Sequence, residues 1–139
     1  MKKIPLSALN ESYELIMGAL CIWREARGEP REGKVAVWNV IKNRVASKRW
    51  GPTITRVVTA RWQFSAFNDG DPNTTKFPAV EDTAWQECLE VVIGNGPDIT
   101  QGACFYYAKS MTKPPHWAAT MTKTLEAGGH IFFRENNLS

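Results

Sequence analysis

From Leu15 to Trp23 the chain is apolar, broken only by Gly18, and the run stops abruptly at Arg24. It falls well short of the ~20 residues that span a bilayer. Over Glu11 to Ala26 the pattern predicts a helix that is apolar on nearly every side through its middle, at Ile16, Met17, Ala19, Leu20, Cys21, Ile22 and Trp23. Such a helix belongs at the centre of a domain, with the other elements packed around it. Gly28 and Pro30 set its end.

Glu25 sits in the last turn of this apolar helix, between core and cleft. Partial desolvation raises a carboxyl pKa, and the negative end of the helix dipole pushes the same way, which is what a general acid needs near neutral pH. The competing readings are an ion pair with Arg24 or Arg27, or an exposed end-of-helix glutamate. Glu29 and Glu32 would share its face on an unbroken helix, but Gly28 and Pro30 interrupt it. Glu29 is therefore read as a cap or salt-bridge residue anchoring the turn, or as an assisting second carboxylate.

Pro30 and Glu32 suit the first turn of a second helix running to about Ala46, with Val37, Ile41 and Val45 as its buried stripe and Lys42, Asn43 and Arg44 on a wetter side. Thr53 caps a short helix through Ala60. Phe67 to Asn73 is a cluster of turn formers. Pro78 to Ile93 reads as another helix, with Val80, Ala84, Cys88 and Val92 in line and Gly94-Asn95-Gly96 stopping it. Ala103 to Tyr107 and His130 to Phe133 are aromatic-rich and Gly-bounded, as strands are. The expected fold is α+β, mainly helical with a small β element, in a single domain over residues 1–139.

A net charge of +3, spread without basic runs, argues against a dedicated nucleic-acid arm and suits approach to a polyanionic matrix such as a bacterial wall. The six tryptophans divide between core filling and flat surfaces on which sugars stack. The first residues lack the apolar run of an export signal, so folding in a reducing cytoplasm without membrane insertion is expected. Cys21, Cys88 and Cys104 cannot all pair with one another, and the first two fit helical apolar patterns as buried thiols. His116 and His130 form no zinc motif, and Asp69 with Asp71 supplies only part of a calcium loop, so no metal or cofactor is expected. A nucleophilic pair of Cys104 with a histidine such as His130 is kept as an alternative.

Trp23-Arg24-Glu25-Ala26-Arg27-Gly28-Glu29-Pro30, followed by Glu32 to Val37 and Asn43-Arg44-Val45, closely resembles the SleB-type cell-wall hydrolases, which include spore-cortex-lytic enzymes and related phage endolysins. The likeness continues through Gln63-Phe64-Ser65, the Asn68 to Asn73 loop, Tyr106-Tyr107, His116-Trp117-Ala118 and Gly129 to Arg134, spanning roughly residues 15–134. It implies a lysozyme-like fold acting on the N-acetylmuramic acid–N-acetylglucosamine backbone of peptidoglycan, with Glu25 as catalytic acid and Glu29 as a structural residue. Gln63, Phe64, Ser65, Tyr106 and Tyr107 match segments that look onto the glycan groove in that family, and His130 is counted with them as substrate-binding. Arg24 departs from relatives that carry glycine or another small residue there. A monomeric phage endolysin, made in the host cytoplasm and released to the wall, fits the resemblance.

With one well-motivated acid, a lytic transglycosylase is expected in preference to a lysozyme-type muramidase, which needs two carboxylates across the bond. An amidase or peptidase using Cys104 and a noncatalytic sugar-binding module are the other readings. Product chemistry and the behaviour of a Glu25 variant separate them.

Overall fold

The computed structural model describes residues 2–60, 64–68 and 70–136. Four helices, α1 (Leu6–Ala26), α2 (Arg31–Ser47), α3 (Ile54–Thr59) and α4 (Thr83–Gly94), precede an antiparallel sheet of β1 (Phe105–Ala108), β2 (Met121–Ala127) and β3 (His130–Glu135). β3 is the central strand, in the order β1-β3-β2. Short 3-10 turns occupy Ser65–Phe67 and His116–Thr120. The mainly helical α+β class is the expected one.

α1 packs against each of the other helices, but only its second half is the apolar rod that the sequence suggests. Burial begins at Gly18 and runs through Trp23, whereas Ile16 is 42% exposed. The helix also starts five residues earlier than expected. Pro5 is its N-cap and accepts from the amide of Leu9 at 3.1 Å, so proline serves here as a start signal. At Gly18 α1 meets α2 closely, since a Cβ there would lie 2.6 Å from the Trp38 ring. α3 is tied to α1 through Glu14, whose carboxylate accepts from the Thr55 amide at 3.1 Å and from its hydroxyl.

α2 and α3 begin where their caps predict. Pro30 precedes the first turn of α2, and the Thr53 hydroxyl accepts from the Arg56 amide at 3.2 Å. α4 does not: it starts at Thr83 rather than Pro78, because the Asp82 carboxylate accepts from the Trp85 amide at 2.9 Å and makes a stronger cap than proline. Val80, expected on its buried stripe, is consequently outside the helix and exposed. Asn95 closes α4 in the left-handed region, at φ 44°.

The strand missed in the sequence is β2. Its signal was the pair Gly128-Gly129, a two-residue hairpin turn into β3. Alternation sends Tyr106, Leu125 and Phe132 toward the helical core. Phe105, Tyr107 and Phe133 take the other face, covered by Trp117 at centroid distances of 5.3, 6.0 and 5.4 Å.

One carboxylate joins the helices to this sheet. Glu29, in the α1–α2 turn, accepts from the Gly129 amide at 2.9 Å through Oε2 and places Oε1 3.4 Å from Nδ1 of His130. Lys34, almost fully buried, binds the Glu29 carbonyl and pairs with Glu87 of α4 at 2.8 Å. Glu29 is thus a structural anchor, as expected, but its side chain reaches the hairpin instead of closing its own turn. A Cβ at Gly129 would stand 2.8 Å from Oε1 of Glu29. Gly129→Ala should therefore lower the urea midpoint by the equivalent of about 1–3 kcal/mol without changing the slope. Wild-type stability in that variant would mean that the hairpin does not need this close approach.

Candidate active site

Glu25 is half-buried in the last turn of α1. Its charge acts on Cys21 one turn earlier, on Arg44 of α2 and on Tyr106 of β1, so three elements meet around it. Burial raises the Tyr106 phenol well above its ordinary pKa, and Glu25 and Cys21 push the same way against Arg44. Tyr106 therefore keeps its proton within electrostatic range of Glu25. Burial likewise holds the Cys21 thiol protonated, and pushes that of Cys88 up to about 12.

Arg24 and Arg27, the ion-pair partners considered for Glu25, are engaged with the loop ahead of α4. Nε of Arg24 donates to the Lys76 carbonyl at 3.0 Å, and its guanidinium lies 4.8 Å from the ring centroids of both Phe67 and Phe77. Arg27 donates to the Trp23 and Arg24 carbonyls at the helix end, at 3.2 and 3.3 Å, and to Asn73 Oδ1 at 2.9 Å. The two arginines fasten the loop onto the end of the helix that carries Glu25. Inside the loop, Asp71 accepts from the Asn73 amide at 2.8 Å, closing its own turn.

Sequence reasoning missed Arg44. It was read on the wet side of α2, yet it is 5% exposed, with Trp50, Phe64 and Phe105 ring centroids 4.8, 4.9 and 5.7 Å from its guanidinium. Nε donates to the Cys104 carbonyl at 2.8 Å. Three aromatic faces and a carbonyl replace water around the cation, which is why the core accepts it. The signal was its position seven residues after Val37 and three after Ile41, in phase with the buried stripe. Asn43 is also drawn inward, donating to the Ala103 carbonyl at 2.9 Å and to Asp98 at 3.0 Å.

The residues expected along a groove separate. Gln63 and Asp69 lie outside the described residues. Phe64, 1% exposed, is a wall between Arg44 and Tyr106 and offers no face to a ligand, contrary to expectation. Ser65 is exposed at the start of its 3-10 turn. Tyr106 faces the acid, while Tyr107 lies on the far side of the sheet, stacked on Phe133 at 5.6 Å. Strand alternation divides the pair. His130 is buried behind Tyr106, its ring edge-on at 5.1 Å; burial lowers its pKa and Glu29 opposes this. Trp23 and Trp38 are core, and Trp50, Trp85 and Trp117 half-buried.

The alternative pairing of Cys104 with His130 fails on geometry. His130 stands opposite Ala108, four residues along the sheet from Cys104 and hence roughly 13 Å away at about 3.3 Å per residue. Burial also raises the Cys104 thiol pKa, with nearby Arg44 pulling the other way.

Residues 28–133 match the family described as Cell Wall Hydrolase. The spore cortex-lytic enzyme of Oceanobacillus iheyensis is 34% identical over 133 residues, covering 93% of this chain and 44% of the relative. That of Bacillus cereus is 35% identical over 129 residues, covering 93% and 46%. The chain spans a little under half the length of these curated relatives. The family match begins three residues after Glu25, whereas the alignments with the two spore enzymes, at 93% of the chain, leave too few residues outside them to exclude it. The crystal structure of the catalytic domain of Bacillus cereus SleB superposes with a TM-score of 0.69 at 32% identity, covering 87% of this chain and 89% of that one. The catalytic domain of the germination-specific lytic transglycosylase SleB from Bacillus anthracis gives the same score and identity, covering 87% and 93%. The fold is thereby the lysozyme-like α+β fold.

Arg44→Met keeps the apolar stem of the side chain but leaves the Cys104 carbonyl without its charged donor. It should cost about 1.5–3 kcal/mol in urea unfolding, the range for hydrogen bonds to charged groups. A cost below 0.5 kcal/mol, well under that range, would count against the cage as a stabilising feature. Cys104→Ser, by contrast, should leave turnover unchanged, and inactivation without unfolding would restore a cysteine mechanism.

Proposed function

The chain belongs to the SleB-type cell wall hydrolase family, and on that premise we propose that it cleaves peptidoglycan glycan strands between N-acetylmuramic acid and N-acetylglucosamine, as a lytic transglycosylase with Glu25 as the general acid. The observation that carries this reading is the setting of Glu25, a half-buried carboxylate at the junction of α1, α2 and β1, beside a phenol that holds its proton. Among the described residues, the carboxylates weighed as a second catalytic group have other settings, and Asp69 lies outside those residues. Glu29 holds the hairpin, Asp71 closes its own turn and Glu32 is exposed in the first turn of α2.

A single carboxyl group suffices for the whole cycle. Glu25 protonates the glycosidic oxygen, the bond from muramic acid C1 to that oxygen breaks, and the N-acetylglucosamine end leaves as an alcohol. The neighbouring N-acetyl carbonyl steadies the positive charge at C1. The Glu25 carboxylate then takes the proton of the muramic acid C6 hydroxyl as its oxygen closes on C1, which gives a 1,6-anhydro end and restores the acid. An internal nucleophile has effective molarities of about 10⁵ M or more, so no water need be held on the far face. We further place the protein as a phage endolysin, made in the host cytoplasm and acting on the wall after release, a role supported by the resemblance to endolysins of this family.

Digestion of purified sacculi in ¹⁸O-water should yield unlabelled anhydro ends, whereas labelled reducing ends would assign a muramidase. Glu25→Gln should lower turnover by about 10²–10⁴-fold while the thermal midpoint barely moves. Activity above about a tenth of wild type in that variant would remove Glu25 from its role. Cytoplasmic expression should lyse cells only when a membrane pore is supplied, and lysis without one would argue against the endolysin role.

A further inference from the structure

Phe77 is 71% exposed, yet its ring is held on one side. The Arg24 guanidinium lies 4.8 Å from its centroid and at the same distance from that of Phe67. Nε of Arg24 also binds the carbonyl of Lys76, so the backbone next to Phe77 is pinned along with the ring. Arg24 itself is 5% exposed, and burial lowers its pKa. An arginine remains charged even so. Burying a cation under an exposed ring is costly, and that ring forgoes the stabilisation that its own burial would give. The local gain is orientation: a flat apolar surface with one face on Arg24 and much of its area open to solvent.

Its position connects it to Glu25. The loop leaves the Tyr106 side of the site at Phe64 and returns to α1 at Arg24, one residue before the acid. Phe67 and Phe77 both meet Arg24, so Phe77 stands where the loop is fastened to the helix that carries Glu25. Building on the glycan-cleaving reading, we propose that Phe77, propped by Arg24, is a sugar-stacking platform at the rim of the site, taking the C–H face of a pyranose ring in a glycan strand bound across Glu25. The axial C–H bonds of such a ring form an apolar surface that fits an aromatic face, and contact area supplies the affinity. In these terms Phe77 is a substrate-binding residue and Arg24 a positioning residue.

The test uses soluble, uncrosslinked glycan strands. Phe77→Ala should raise KM about tenfold, equivalent to 1.4 kcal/mol, with kcat within about twofold of wild type. Phe77→Trp should restore KM, and Arg24→Met should raise it with the same small effect on kcat. Because Phe77 is largely exposed, the thermal midpoint of Phe77→Ala should not fall, which separates lost binding from lost fold. An unchanged KM in Phe77→Ala, or a loss confined to kcat, overturns the platform. Calorimetric titration of the same strands into Glu25→Gln, with and without Phe77→Ala, separates this inference from the reading beneath it. Strands that are bound through Phe77 but never cleaved by wild type sink the glycan-cleaving function and leave the platform standing. Cleavage with Phe77-independent binding does the reverse, and strands neither bound nor cleaved sink both.

Discussion

The contact between the Glu29 carboxylate and the Gly128-Gly129 turn underlies the geometry of the site. α1 carries Glu25 and β1 carries Tyr106, and these elements are far apart in the chain. Among the described strands β1 pairs with β3 alone, so fixing β3 to the helices helps, together with the Arg44 contact at the start of β1, to fix the phenol relative to Glu25. Glu29 does this four residues after Glu25, where α1 has just ended. The glycines opposite it admit the carboxylate to within hydrogen-bonding distance of the backbone. The stretch of chain that carries Glu25 thus also supplies the clasp.

Around that clasp the protein uses buried and half-buried cations where a small helical domain would ordinarily use aliphatic side chains. Arg44 joins α2 to the start of β1, Arg24 and Arg27 join α1 to the loop ahead of α4, and Lys34 joins α2 to α4. Each is met by carbonyl oxygens, a carboxylate or aromatic faces, which offset much of the desolvation penalty. Directional contacts of this kind define relative positions more sharply than interchangeable apolar packing does. Sharp positioning matters most where a proton must pass between groups on separate elements.

The legibility of the sequence follows the range of the interactions involved. Helix starts dictated within a turn, such as Thr53 and Pro30, could be read directly, and so could the polar loop. α4 was placed too early because two start signals, Pro78 and Asp82, competed, and the side-chain cap prevailed. β2 was overlooked because its residues alternate weakly, although the Gly128-Gly129 turn was visible. Glu25 stood out because its helix is so apolar. Arg44 did not, because a cation in phase with an apolar stripe is informative only once the rings of Trp50, Phe64 and Phe105, from other segments, are known to gather around it. Tyr106 and Tyr107 both match groove segments in the sequence, but strand alternation divides them, and which faces Glu25 depends on the pairing of β1 with β3.

The uneven burial of α1 has a consequence for motion. Leu6, Leu9 and Tyr13 project largely into solvent, whereas every residue from Gly18 to Arg24 is buried. Amides in the opening turns can exchange through local fraying that breaks little packing, while those near the other end exchange only when the core itself opens. One continuous helix thus spans two regimes of opening free energy, from an end that frays and reforms quickly to one that opens as rarely as the whole domain. Glu25 rides on the slow end, where the backbone keeps its place while the opening turns fray and reform.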